Sequence, residues 1–328
     1  MKYFLTGGTG FIGSHVARQL VQAGHGVTAI VRDPAKAADL ASAGIALHRG
    51  DVTDRDSMRI PMTGVDGVFH IAGWYKLGVR DTTPALHVNV DGTRNVLELM
   101  RELGIPKGVY TSTLAVFSDT QGRVVDESYR FTGRHVSVYD ASKAAAHYDV
   151  AGSLIRKGLP LVIVQPGLVY GPGDTSMVQQ TLRKYLRRKL PMIPRRTAFC
   201  WAHVDDIARA HILAMERGTP GESYIVGGEP CSFEDALRLA ESITGVPAPH
   251  VHVRPGVLKA LAGVMSVIER IVPVPEDYSS EFLRVNAGVT YLGSDAKART
   301  NLGYAPRALQ EGLAETLRYE QSLLDTKP

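Results

Sequence analysis

The chain has 328 residues, 44% of them hydrophobic and 21% charged, which is the balance of an ordinary globular protein able to bury a sizeable core. Its two cysteines, Cys200 and Cys231, lack CxxC or Cys/His ligand spacing, so neither a disulfide framework nor a metal site is expected, and no apolar run reaches the roughly 20 residues that cross a bilayer. A formal net charge of +4 favours anionic partners, and the absence of signal-peptide architecture before the first strand predicts a soluble, cytoplasmic protein.

The first element is a short strand, Lys2 to Leu5, followed by TGGTGFIGSHVARQL. Gly7, Gly8, Gly10 and Gly13 are costly in regular structure, so their density implies a sharp turn or a close backbone approach. A strand, a glycine turn and a helix N-terminus together form an anion site, because unpaired N–H groups and the positive helix end converge there. The predicted occupant is a pyrophosphate.

Further β-rich runs follow at VTAIVRD, IALHRGD, GVFHIAG, GVYTSTLAVF and LVIVQPGLVYG, alternating with amphipathic stretches such as NVDGTRNVLELMRELG. This rhythm predicts an α/β protein with a parallel sheet covered on both faces, binding ligands at the carboxyl ends of its strands. It changes after Tyr170–Asp174. A basic helical segment, RKYLRRKLPMIPRR over 183–196, has no interleaved aromatic platform, so nucleic acid is not expected. AFCWAHVDDIARAHILAM then reads as strand, turn and helix, and SYIVGG as a strand. Asp205 and Asp206 read as capping and loop-bonding residues, and His70 and His203 as structural.

From Ser232 onward helices dominate. The segment GVLKALAGVMSVIERIVPVP, 256–275, is apolar enough to suggest membrane contact, but Lys259, Glu269 and Arg270 interrupt it. It is expected to pack over a hydrophobic cleft, without stable membrane insertion. The domains expected are a dinucleotide-binding unit over 1–170, with returning segments at about 198–227, and a smaller, mainly helical substrate domain over 171–197 and 228–328.

YDASK, Tyr139 to Lys143, carries the strongest chemical signal. Positions i and i+4 share a helix face, so the phenol and the ammonium reach one site, where a cation lowers the phenol pKa and equips Tyr139 for proton transfer. Thr113, in TST at the end of a preceding strand, is placed to hydrogen-bond a substrate oxygen. Trp74, Tyr75, Phe117 and Tyr170 follow strand ends and predict an aromatic wall suited to a planar or alicyclic carbonyl compound.

TGGTGFIG, HIAG at 70–73, NVDGT at 89–93, TST at 111–113, YDASK, PGLVYGPGD at 166–174 and HVDDIARA at 203–210 together resemble the extended short-chain dehydrogenase/reductases, and AKARTNLGYAPR resembles that family's closing segment. The resemblance implies a Rossmann-type doubly wound sheet. It also implies a catalytic trio of Thr113, Tyr139 and Lys143, with Asn89 supporting the lysine through water and Lys143 also holding the nicotinamide ribose. The cofactor contacts it implies are Gly7, Thr9, Gly10, Phe11, Ile12 and Gly13 in the loop, and Asp51 and Val52 at the adenine edge. Ala72, Gly73, Thr111, Pro166, Leu168 and Val169 complete that set at later strand ends.

Arg32 stands where NAD-using relatives carry an acid, so NADP(H) is the expected cofactor, with NAD(H) possible if Asp33 reaches the ribose. Leu114 and Ala115 replace the acidic pair of the sugar-nucleotide dehydratases, and the two cysteines do not match the epimerase-reductase placement. VRDP and HIAGW bring the chain closest to the dihydroflavonol-reductase-like branch. Ser118 departs from the flavonoid-positioning asparagine, and HVSV before Tyr139 departs from the cinnamoyl-CoA reductase signature. The expectation is an NADP(H)-dependent ketone or aldehyde reductase. The alternatives are a sugar-nucleotide epimerase using Arg195 and Arg196 on a diphosphate, and a non-catalytic dinucleotide sensor, which would usually have lost the tyrosine or lysine. The family's habit implies a homodimer through about 82–104 and 137–157.

Overall fold

The computed structural model describes residues 1–325. Seven strands form its central sheet: β1 (Lys2–Thr6), β2 (Gly26–Val31), β3 (Ala46–Arg49), β4 (Gly67–His70), β5 (Gly108–Thr111), β6 (Leu161–Pro166) and, after three strands that lie elsewhere, β10 (Ser223–Val226). Their spatial order is β10-β6-β5-β4-β1-β2-β3, and every pairing is parallel. Parallel strands need helical crossovers that cover both faces, and β4, β5 and β6 are accordingly buried throughout. Side chains alternate across the pleat. Leu5 enters a core with Val16, Leu20 and Leu213 beneath helices Phe11–Gln22 and Val204–Arg217, whereas Phe4 enters the opposite core with Val96, Met100 and Val150.

The order reverses beside β1, which pairs with β2 on one side and β4 on the other. Chain crossovers leave in opposite directions there, opening a crevice at the carboxyl ends of the strands.

LVIVQPGLVYG, read as one strand, is two. It changes sheets at Gly167, where a Cβ would stand 2.1 Å from the Cys200 carbonyl oxygen. Its second half, β7 (Leu168–Tyr170), pairs with β9 (Ala198–His203), which also pairs with β11 (Pro230–Ser232) and β13 (Thr290–Tyr291). The returning segment around 198–227 therefore divides: β9 joins this second sheet, and the following helix and β10 join the first. A two-stranded ribbon, β8 (Ile193–Pro194) with β12 (His252–Val253), completes the strands.

The late apolar segment departs from its expected packing. Helix Pro255–Ile268 buries Leu258 and Ala262 against Leu283 and Ala287, but Val257, Leu261, Val264 and Ile268 stand exposed rather than closing over a cleft.

Gly13 sits in the first turn of helix Phe11–Gln22, where a Cβ would lie 2.1 Å from the Gly7 carbonyl oxygen. Gly13→Ala is expected to lower urea-unfolding stability by about 1–3 kcal/mol through this backbone collision. Gly263→Ala, in a helix with nothing within 4 Å, is expected to raise it by about 0.5–1 kcal/mol.

Candidate active site

The glycine loop joins β1 to its helix across the crevice. Gly7 takes φ +76°, and a Cβ there would meet the Ala72 amide nitrogen at 2.6 Å, so the loop lies hard against the chain leaving β4. Gly10 caps the helix without a side-chain hydrogen bond, and its own N–H returns to Gly7 O at 2.9 Å. The first-turn N–H groups of Phe11, Ile12 and Gly13 thus have no capping side chain in front of them, which fits an anionic group such as a pyrophosphate. Thr9 beside them is exposed.

Arg32 follows β2, exposed and with no carboxylate partner among the described residues. Asp33 is committed to its own turn, its carboxylate accepting from Ala35 N at 3.1 Å and lying 3.6 Å from Lys36. After β3, the Asp51 carboxylate accepts from the Thr53 N–H and hydroxyl at 2.9 and 2.8 Å, while Val52 is buried against Gly92. Ala72 donates its N–H to Thr6 Oγ1 at 3.2 Å, and Gly73 is exposed beside Asn89. Pro166 ends β6 buried, and Leu168 and Val169 are half-buried, packed into different cores.

Tyr139 and Lys143 lie on helix Val138–Ala145, started by Ser137, whose side chain accepts from Asp140 N at 3.0 Å. Thr113 caps the short turn Leu114–Phe117 after β5, accepting from Ala115 N at 3.2 Å, and its hydroxyl lies near enough to the Tyr139 phenol to favour the phenolate. Lys143 Nζ donates to Thr111 O at 2.8 Å and Tyr110 Oη at 3.1 Å, and lies 4.7 Å from the Tyr110 ring centre. The structure brings Thr111, Thr113, Tyr139 and Lys143 together at the end of β5.

Burial sets the protonation of the site. It pushes the Tyr139 phenol up to about 12; the nearby Thr113 hydroxyl opposes this, and the Asp140 charge adds to it. The expected lowering by Lys143 is absent, because that ammonium faces Thr111 and Tyr110 and is itself held down to about 7 by burial without a counter-charge. Tyr139 is therefore protonated at neutral pH.

Asn89 is buried between the loop after β4 and the Tyr139 helix. Its amide accepts from Trp74 N at 2.7 Å and donates to Trp74 O and Ser142 Oγ, both at 2.9 Å, tying the loop after β4 to the Tyr139 helix. Trp74 is half-buried and Tyr75 exposed. Phe117 and Tyr170 are placed elsewhere. Phe117 packs edge-on against Tyr129 in a buried cluster, and Tyr170 lies in the second sheet against Trp201 and His203, because the turn and strand carrying them point inward.

The two histidines serve structure. His70 bridges Thr6 and Thr93 at 2.8 and 2.9 Å and stacks on Tyr110, and burial drives its pKa down to about 3. His203 accepts from Asp205 N at 3.3 Å, so histidine rather than aspartate caps that helix. Asp205 instead reaches His15 at 2.6 Å and Asp206 binds Arg307. The reading of single motifs also missed Asp140, buried beside Tyr139. It accepts from the Ser137 and Tyr291 hydroxyls at 2.6 and 3.0 Å, and burial raises it to about 7. Tyr291 lies 152 positions after Tyr139, and no local pattern couples them.

A family model for the NAD dependent epimerase/dehydratase family matches residues 3–227. The chain belongs to that family. Within it, the chain is 32% identical to a protein of Synechocystis sp. (strain ATCC 27184 / PCC 6803 / Kazusa) bearing the provisional name dihydroflavonol 4-reductase, over 98% of this chain and 94% of that one. It is 30% identical to a 2-alkyl-3-oxoalkanoate reductase of Stenotrophomonas maltophilia (strain K279a), over 95% and 97%. Among solved structures, that of gox2253 superposes with a TM-score of 0.84 at 31% identity, covering 98% of both chains.

Asp140 and Lys143 predict opposite pH slopes. The Asp140 carboxyl, raised to about 7, contributes stability that is full below its unfolded pKa and is lost as pH rises through about 7. Lys143, lowered to about 7, binds fewer protons folded than unfolded, so stability recovers as pH rises from about 7 toward the usual lysine value. Urea unfolding across pH should show a minimum contribution near neutrality from this pair. Asp140→Asn should flatten the acid limb and Lys143→Met the alkaline limb; unchanged limbs would refute the assignments.

Proposed function

We propose that this oxidoreductase is an NADP(H)-dependent reductase of a ketone or aldehyde on a small aromatic or alicyclic substrate. The observation that carries the proposal is the placement of Thr113 near the protonated Tyr139 phenol, with Lys143 one helical turn on, at the strand ends beside the glycine loop. When bound, the dinucleotide supplies the hydride. Thr113 orients the carbonyl oxygen, and Tyr139 gives that oxygen its proton, a role that a phenol kept protonated by burial can fill. Lys143 offers its ammonium beside them, and Asn89 holds the loop bearing Trp74 and Tyr75 against the same helix. The first-turn N–H groups of Phe11, Ile12 and Gly13 would hold the pyrophosphate. The exposed Arg32 would pair with a ribose 2′-phosphate, a reading supported by the commitment of Asp33 to its own turn.

A complete trio argues against the non-catalytic sensor. The epimerase reading retains one observation: Arg195 and Arg196 are exposed, without carboxylate partners among the described residues, as a diphosphate site would require.

NADPH oxidation with aromatic aldehydes, alicyclic ketones and flavanonols, run beside a sugar-nucleotide epimerisation assay, separates the two. Steady oxidation without epimerisation is expected, and epimerisation without net oxidation would replace the proposal. Tyr139→Phe should lower turnover at least ~10²-fold with NADPH affinity nearly unchanged. Arg32→Ala should weaken NADPH binding far more than NADH binding, and equal losses would remove Arg32 from the phosphate.

A further inference from the structure

The exposed side of helix Pro255–Ile268 is unusual for a protein surface. Val257, Leu261, Val264 and Ile268 stand at i, i+4, i+7 and i+11, on one face, with exposures of 59, 40, 56 and 37%. Ile271 and Val272 continue the patch at 78 and 47%. A contiguous apolar surface of this kind marks an interaction site.

Its electrostatic surroundings identify the partner. Residues 242–268 contain no Asp or Glu, and neither do residues 175–204. The β8–β12 ribbon joins the two acid-free stretches, with Arg195 N donating to Val253 O at 3.0 Å, two residues before the helix begins. Arg187, Arg188, Arg195, Arg196, Arg254 and Lys259 are exposed there, none with a carboxylate partner among the described residues. Of the other cations, Arg183 is taken by Glu320 and Lys184 by Asp277. Acidic groups return at the far end of the patch, where Glu269 accepts from Ser280 and Glu276 is exposed.

Two of these arginines occupy backbone conformations that favour glycine. Arg188 has φ +56° and Arg196 φ +66°. Holding such side chains in the left-handed region costs of order 1–2 kcal/mol each, and strain of this kind concentrates at functional surfaces.

We propose that this face docks the protein on an anionic lipid bilayer. Val257, Leu261, Val264 and Ile268 enter the interfacial layer, and the unpaired arginines meet the headgroups. Among the described residues no helix is long and apolar enough to span a membrane, so the association is peripheral. The face adjoins the candidate active site. Arg80 donates to Glu269 O at 3.2 Å, and the Glu281 carboxylate accepts from Gly78 N and Val138 N at 2.8 and 2.7 Å, the latter next to Tyr139.

The test is co-sedimentation of the full chain with phosphatidylcholine vesicles and with mixed phosphatidylcholine–phosphatidylglycerol vesicles. Binding to the mixed vesicles that weakens with added salt is expected. The double variant Arg188→Gly/Arg196→Gly relieves backbone strain while removing two charges, so its fold is secure, and its partitioning should fall about 30-fold. Val264→Asp should abolish binding while a Tyr139→Phe control binds as the parent chain does. No binding to anionic vesicles, or binding indifferent to both surface variants, would overturn the proposal. So would sedimentation showing that Val264→Asp splits an oligomer, since the face would then be covered by a second copy.

Discussion

An ammonium group sealed among neutral oxygens is the constraint around which the site is organised. Lys143 is almost fully buried, and its partners are a carbonyl and a phenol rather than a carboxylate. Burying such a group is costly unless its donors are placed, so the helix carrying it must lie in one register against β5. That register also sets Tyr139 beside Thr113. Tyr110 passes the constraint inward, stacked on His70, which is bonded to Thr6 and Thr93. Thr6 ends the strand from which the glycine loop departs. The loop and the trio are therefore joined by one buried chain of neutral polar groups, and low dielectric makes every member of that chain dependent on the others.

A second set of contacts fastens the outer parts to this centre. Glu281 bonds the backbone of Gly78 and Val138, and Tyr291 bonds Asp140. Residues from the C-terminal part of the chain thereby hold both the loop after β4 and the start of the Tyr139 helix. The mouth of the site is built from segments distant in sequence, and the exposed apolar helix is continuous with it.

Much of the architecture was legible in the order of residues. The alternation of β-rich runs and amphipathic helices led to a parallel sheet, and the glycine spacing led to the turn at its switch point, because both rest on local periodicity and steric limits. Tyr139 and Lys143 were legible as a pair because a helix brings i and i+4 to one face. The change of sheet at Gly167 was not, since it is enforced by the approach of the Cys200 carbonyl. Phe117 and Tyr170 were misplaced for a related reason: following a strand end says nothing about whether a ring turns toward the crevice or into a core.

The sequence by itself determined the family, the parallel sheet, the glycine loop and the pairing of Tyr139 with Lys143 on one helix, all of which depend on residue type and short spacing. Tertiary structure alone decided the direction of the Tyr139 shift, because desolvation depends on everything packed around a group, and the Lys143 ammonium is turned to Thr111 and Tyr110 instead. It also decided that the late apolar helix faces outward beside unpaired arginines. Which face of a helix is covered is a property of the elements packed against it, and those lie far away along the chain.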